Sequence, residues 1–155
     1  MSPRWAACLV VLVVAGCERR PVDDDPERVV AELIARLQRV HGDPAAARRA
    51  YDLLWAPAQQ NLAERAKRTS ALTGRKVAPE EMLAPSSFYL RFTPVRYAAR
   101  VEAEWAEVTV FGEDSATHRE QVRCVLEDGR WRVALSLPEP APIQVREAAP
   151  GSPRE

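Results

Sequence analysis

Few residues in this 155-residue chain could carry chemistry, and their spacing limits what that chemistry would be. There are two histidines, His41 and His118, and three cysteines, Cys8, Cys17 and Cys124. A zinc site needs three or four nitrogen, sulfur or oxygen ligands in convergent places. His41, His118 and Cys124 show no such spacing, so neither a metal nor a cofactor is expected. His118 and Cys124 fall on what reads as one strand, roughly 20 Å apart at about 3.3 Å per residue, too far for a thiol–imidazole dyad. Val122 and Leu126 flank Cys124 at two-residue spacing, the pattern of an inert core thiol. His41 lies where a helix ends and suits the negative end of its dipole. Beyond residue 17 the glycines stand singly, at 42, 74, 112, 129 and 151, so no phosphate-binding loop is present. No Gly-x-Ser-x-Gly turn offers a serine nucleophile. No catalytic residue is assigned.

The cysteine that does carry a signal is Cys17. Arg4 gives a positive start, and Trp5 to Ala15 is an apolar run. It is too short for a membrane span, which needs about 20 residues, and has the length of a signal-peptide core. Val14-Ala15-Gly16-Cys17 resembles the lipobox of bacterial lipoprotein precursors. The resemblance implies removal of residues 1–16, acylation of Cys17 and a lipidated tether over 17–25. It also implies that Cys124 is left as the one free thiol. Two or three acyl chains anchor stably at about 0.8 kcal/mol per buried methylene. Glu18 stands where enteric lipoproteins kept in the inner membrane tend to carry Asp, which points to the outer membrane, facing the periplasm.

Around these residues the chain must build one domain. Lys+Arg and Asp+Glu are 22 each, so the formal charge is zero, against a nucleic-acid binder held by bulk charge. Asp25-Pro26-Glu27 and Asp43-Pro44 are two helix starts, an N-cap followed by proline in the first turn. Val29, Val30, Leu33, Ile34, Leu37 and Val40 form the first apolar stripe, with Gly42 as stop. Ala47, Ala50, Tyr51, Leu54 and Trp55 form the second, broken at Pro57. A third helix is expected from about Ala58 to Ala71, with Gly74 as its stop, and one helical turn at residues 79–83. Arg65, Lys67, Arg68, Arg75 and Lys76 make a basic stretch, read as a solvated face.

The period then becomes two. Phe88, Leu90 and Phe92 alternate, then Val95, Tyr97, Ala99 and Val101. Val108 and Val110 are in opposite phase, which points to a tight turn near Ala103-Glu104, a bulge being the other way to flip the phase. Asp128-Gly129 is the strongest hairpin signal, and Trp131, Val133, Leu135 and Leu137 alternate after it. From about residue 139 the chain is proline-rich with little apolar mass and reads as a disordered tail.

Helices followed by antiparallel strands are an α+β pattern, a single domain over residues 26–138. This order, the closing Asp128-Gly129-Arg130-Trp131-Arg132-Val133 and the Ala50-Tyr51-Asp52-Leu53-Leu54 segment resemble the nuclear-transport-factor-two-like superfamily, which includes SnoaL-like and ketosteroid-isomerase-like proteins. The resemblance implies helices on a strongly curved sheet, a cone with a cavity at its open end. Enzymes of that group place Asp, His or Tyr inside the cone; here Tyr51, Asp52 and Tyr97 are the positions that invite comparison. Tyr51 and Asp52 are adjacent on a helix and point about 100° apart. Tyr51, Trp55 and Tyr97 are the expected ligand-binding residues.

The sequence thus points to a membrane-anchored envelope lipoprotein with a non-catalytic binding or interaction domain. Its expected partners are the membrane, through the lipid, and a small hydrophobic ligand or another envelope protein. An isomerase- or cyclase-like enzyme and a purely structural component are the alternatives. The residues lining the cavity separate the three.

Overall fold

The computed structural model describes residues 24–140, where three helices precede a four-stranded antiparallel sheet, the α+β class expected. The Asp25 carboxylate accepts from the Glu27 N–H at 3.0 Å, and Pro26 opens helix α1, Pro26–Leu37. Its stripe of Val29, Val30, Leu33, Ile34 and Leu37 is buried. The helix stops short of Val40, and the chain turns through Gly42 at φ 98° before Asp43 repeats the cap on α2, Pro44–Asp52.

Helix α2 is shorter than its apolar pattern. Leu53 to Trp55 leave the helix and run along the last strand of the sheet. Pro57, expected only to break a helix, sits in the first turn of the next, α3, Ala56–Thr73. Trp55 has no capping side chain. The Glu127 carboxylate, from the far end of the sequence, accepts from the Ala56 N–H at 3.1 and 3.2 Å instead. Gly74, left-handed at φ 68°, ends α3 as expected. Two short 3-10 turns follow, Pro79–Met82 and Pro85–Ser87.

The sheet is a meander of β1 (Arg96–Val101), β2 (Trp105–Phe111), β3 (Arg119–Glu127) and β4 (Arg130–Val133). The phase change is a tight turn at Ala103-Glu104, closed by the Glu102 N–H donating to the Trp105 carbonyl at 2.9 Å. Asp128 and Gly129 both have positive φ, 51° and 74°, as a type I′ hairpin turn requires. Residues 88–92 do not form a strand, despite their alternation. Pro85 and Pro94 bracket them, and a proline has no N–H for a ladder. Their side chains pack beside the end of α1 instead.

Both sheet edges are closed by the helical half of the chain. At β1 the Glu27 carboxylate accepts from the outward-facing Ala99 N–H at 2.8 Å. At β4 the Val133 N–H donates to the Leu53 carbonyl at 2.9 Å, and the Trp55 N–H to the Val133 carbonyl at 3.1 Å. These bonds remove much of the pairing template that an open edge offers. The apolar core lies between helices and sheet. Leu33, Leu54, Leu62, Val108, Val110 and Val133 are under 2 % exposed.

Candidate functional site

The three residues expected to bind ligand do not converge. Tyr51 lies half-buried on α2, where burial and, next, the charge of Glu80 push its hydroxyl up. Trp55 packs against the core edge, its indole N–H donating to the Leu135 carbonyl at 3.1 Å. Tyr97 sits on β1, opposite Val110 on the helix-facing side, and burial raises its pKa. The segment carrying Trp55 borders β4, so β1 is four strand spacings away, roughly 19 Å across the sheet at about 4.8 Å each. None of the three lines any of the five clefts described below. Cys17 lies outside the described residues.

The remaining reactive groups are held in structural roles. Cys124 is fully buried, and desolvation pushes its thiol up to about 12. His118 stacks on Phe92, ring centroids 5.6 Å apart and planes 14° apart. Gly112 makes that contact possible, since a Cβ there would stand 2.8 Å from both the Phe92 ring and the His118 Cβ. Asp52 is exposed and lies 3.7 Å from Arg48. Among the described residues no group of three or more His, Cys, Asp or Glu could hold a metal, and no helix is long and apolar enough to cross a membrane.

The best-formed apolar pocket lies where residues 88–92 fold back on α1. It encloses about 220 Å³ between Ile34 and Leu37 on one side and Phe88, Leu90, Phe92 and Pro94 on the other. Gln38 and Tyr89 supply its polar groups, and Tyr89 is 76 % exposed at the rim. No carboxylate, imidazole, amine or thiol lines it. The volume is below the roughly 300–1,000 Å³ of drug-sized sites and suits a ring or a short branched chain. The Phe88-Tyr89-Leu90-Arg91-Phe92 run was visible in the sequence. The prolines at 85 and 94 were the sign that it would serve as wall rather than ladder.

Wider clefts are open and more polar. One of about 550 Å³ runs between the α1–α2 turn and the Pro79–Met82 turn, passing His41, Glu80 and Glu81. There Glu80 Oε1 accepts from Arg48 at 3.1 Å while its Oε2 is buried without a hydrogen bond. Another of about 310 Å³ lies among Arg49, Asp52, Arg130 and Arg132. A third, of about 300 Å³, lies where α3 meets Pro140; there Arg68 donates to the Pro140 carbonyl at 3.3 Å, and beside it Arg65 donates to the Pro138 carbonyl at 2.6 Å. Two of the five residues of the basic stretch, Arg65 and Arg68, are therefore engaged with the chain's own backbone. A fourth, of about 580 Å³, borders Phe111 and Arg119 on the sheet. Compared with protein-family models, with curated proteins and with solved structures, the chain matches none.

Proposed function

We propose that this protein is a bacterial envelope lipoprotein, anchored through Cys17, whose domain is a non-catalytic module binding a small apolar group. One observation carries the binding reading: the pocket between α1 and residues 88–94 is apolar, Tyr89 stands 76 % exposed at its rim, and no carboxylate, imidazole, amine or thiol lines it. General acid–base work needs such a group within hydrogen-bond reach of the reacting atom. The Val14-Ala15-Gly16-Cys17 motif supports the anchor, and the outer-membrane, periplasm-facing location follows from it together with Glu18. Helices first and a closing antiparallel meander support a likeness to the nuclear-transport-factor-two-like group. The buried apolar layer of Leu33, Leu54, Leu62, Val108, Val110 and Val133 between helices and sheet supports, as second reading, a structural envelope component.

A neutral single-ring probe such as toluene, followed by calorimetry, tests the pocket. The parent should bind it saturably, and Leu90→Trp, which fills the space, should abolish binding while leaving the melting temperature within a few degrees. Unchanged binding in Leu90→Trp, or none in the parent, would favour the structural reading. The anchor is read separately by mass spectrometry. Cys17→Ser should appear as an uncleaved, unacylated precursor, and a variant processed like the parent would end the lipoprotein reading.

A further inference from the structure

The helices cover one face of the sheet, and the strand register sends alternate residues to the other. Arg96 and Arg100 of β1, Trp105 and Phe111 of β2, and Arg119 and Arg123 of β3 all share that second face. The Arg96 guanidinium lies 3.8 Å over the Phe111 ring, and that of Arg123 lies 5.3 Å from the Trp105 ring. Stacking of this kind holds a guanidinium flat while its N–H fork stays available. Arg96, Arg119 and Arg123 are exposed and form no salt bridge among the described residues. Three acids lie nearby, and the register sets one of them, Glu107, opposite both Arg100 and Arg123. Glu102 pairs with Arg100 at 3.2 Å, Glu107 accepts from Gln121 at 2.9 Å, and Glu120 borders the cleft beside Arg119. A chain that is neutral as a whole has thus gathered cationic, aromatic-backed groups on one sheet face.

We propose that this face docks on an anionic bilayer surface, its arginines engaging lipid phosphates and its aromatic rings lying at the headgroup level. Two arguments choose the occupant. The first is charge complementarity, since arginine and tryptophan together suit a negatively charged membrane interface. The second is reach. Cys17 precedes Asp24 by seven residues, at most about 25 Å of extended chain. The start of α1 is tied to β1 through Glu27 and Ala99, and β3 is only about 10 Å from β1. A bilayer holding residue 17 therefore lies within reach of Arg96, Arg119 and Arg123. The proposal takes the nearness of the bilayer from the anchor reading and the charge from the sheet.

The test uses the whole chain reconstituted into vesicles of phosphatidylcholine, alone or mixed with phosphatidylglycerol, containing a headgroup-labelled quenching lipid. Trp105→Phe identifies the share of fluorescence that belongs to Trp105. Quenching of that share is expected in anionic vesicles only, and it should fade as salt is raised. Arg96→Ala, Arg119→Ala and Arg123→Ala combined should shift the docked-to-undocked ratio by about fivefold per arginine, over a hundredfold together, with the melting temperature kept. The triple lysine variant should retain most of the docking. Equal quenching in neutral vesicles, or full quenching in the triple alanine variant, overturns the proposal. Tighter binding of single-stranded polyuridylate than of anionic vesicles, lost in the triple alanine variant, also overturns it and would mark a nucleic-acid surface. The mass of Cys17 reports on the anchor by itself: docking with an unacylated Cys17 removes the anchor and leaves this face as assigned.

Discussion

Cys124 and Trp131 show how single side chains divide the labour in a domain with no internal disulfide among its described residues. Cys124 is the free cysteine of that region and is wholly buried between β2 and β4. Its thiol should resist iodoacetamide in the folded protein at mildly alkaline pH and react promptly in urea; equal rates would show that the core opens there. Burial pushes the folded thiol up to about 12, above the ordinary cysteine range, so the folded state keeps a proton that the unfolded chain releases. Stability is therefore unaffected below about pH 9 and falls as pH rises from there towards 12, by about 1 kcal/mol per pH unit. Denaturation curves of Cys124→Ala across that range should show a shallower alkaline decline than the parent. Trp131 is 8 % exposed and belongs to the core cluster. Trp131→Ala should cost on the order of 3–5 kcal/mol, against a rim position that would cost under about 1.

At the level of elements, the helical and sheet halves are joined by two carboxylates. Glu27 reaches from α1 to the free edge of β1, and Glu127 reaches from β3 to the N-terminus of α3. Each accepts from a backbone N–H that its own element cannot satisfy. Glu27→Ala should lower stability by about 1–2 kcal/mol, while Glu27→Gln, which keeps an acceptor, should lose less than half of that. Glu127→Ala should cost about 1 kcal/mol, the usual value of a helix cap. Because Glu27 and Glu127 share no partner and reach N–H groups on different elements, Ala99 of β1 and Ala56 of α3, the double variant should show additive losses in urea titrations. Strong coupling would mean that the edges open as one unit.

For the whole molecule, the boundary of the folded unit sits slightly beyond the last strand. Leu135 is buried and Leu137 half-buried, and α3 holds the chain on to residue 140. Asn61 and Arg65 donate to the Pro138 carbonyl at 3.0 and 2.6 Å, and Arg68 to the Pro140 carbonyl at 3.3 Å. The tail expected from residue 139 thus begins with two residues that are still described, and 141–155 lie outside the described residues. Truncation after Pro140 should leave the melting temperature within about two degrees, because the removed segment has little apolar mass to repay its ordering. Truncation before Pro138 removes the α3 contacts and should lower it by several degrees. Differential scanning of the two chains separates the outcomes, and equal losses would place a stabilising contact beyond residue 140.

What the sequence determined by itself is whatever depends on neighbours a few residues apart. Asp25-Pro26 and Asp43-Pro44 start helices because an N-cap and a proline act within one turn. Asp128-Gly129 makes a hairpin because both residues tolerate positive φ. The inward phase of Val122, Cys124, Trp131 and Val133 follows from a period of two between fixed turns. What the tertiary structure alone decided involves partners far apart in the chain. Leu53 to Trp55 continue a helical stripe, yet β4, some 80 residues later, offers them a sheet edge and the Leu135 carbonyl. Phe88 to Phe92 alternate like a strand, yet with prolines on both sides they find no ladder and become one wall of a pocket whose other wall is α1. The trio of Tyr51, Trp55 and Tyr97 is dispersed for the same reason. Side-chain type is local, but convergence depends on which strands lie between two residues, and only the order of the sheet sets that.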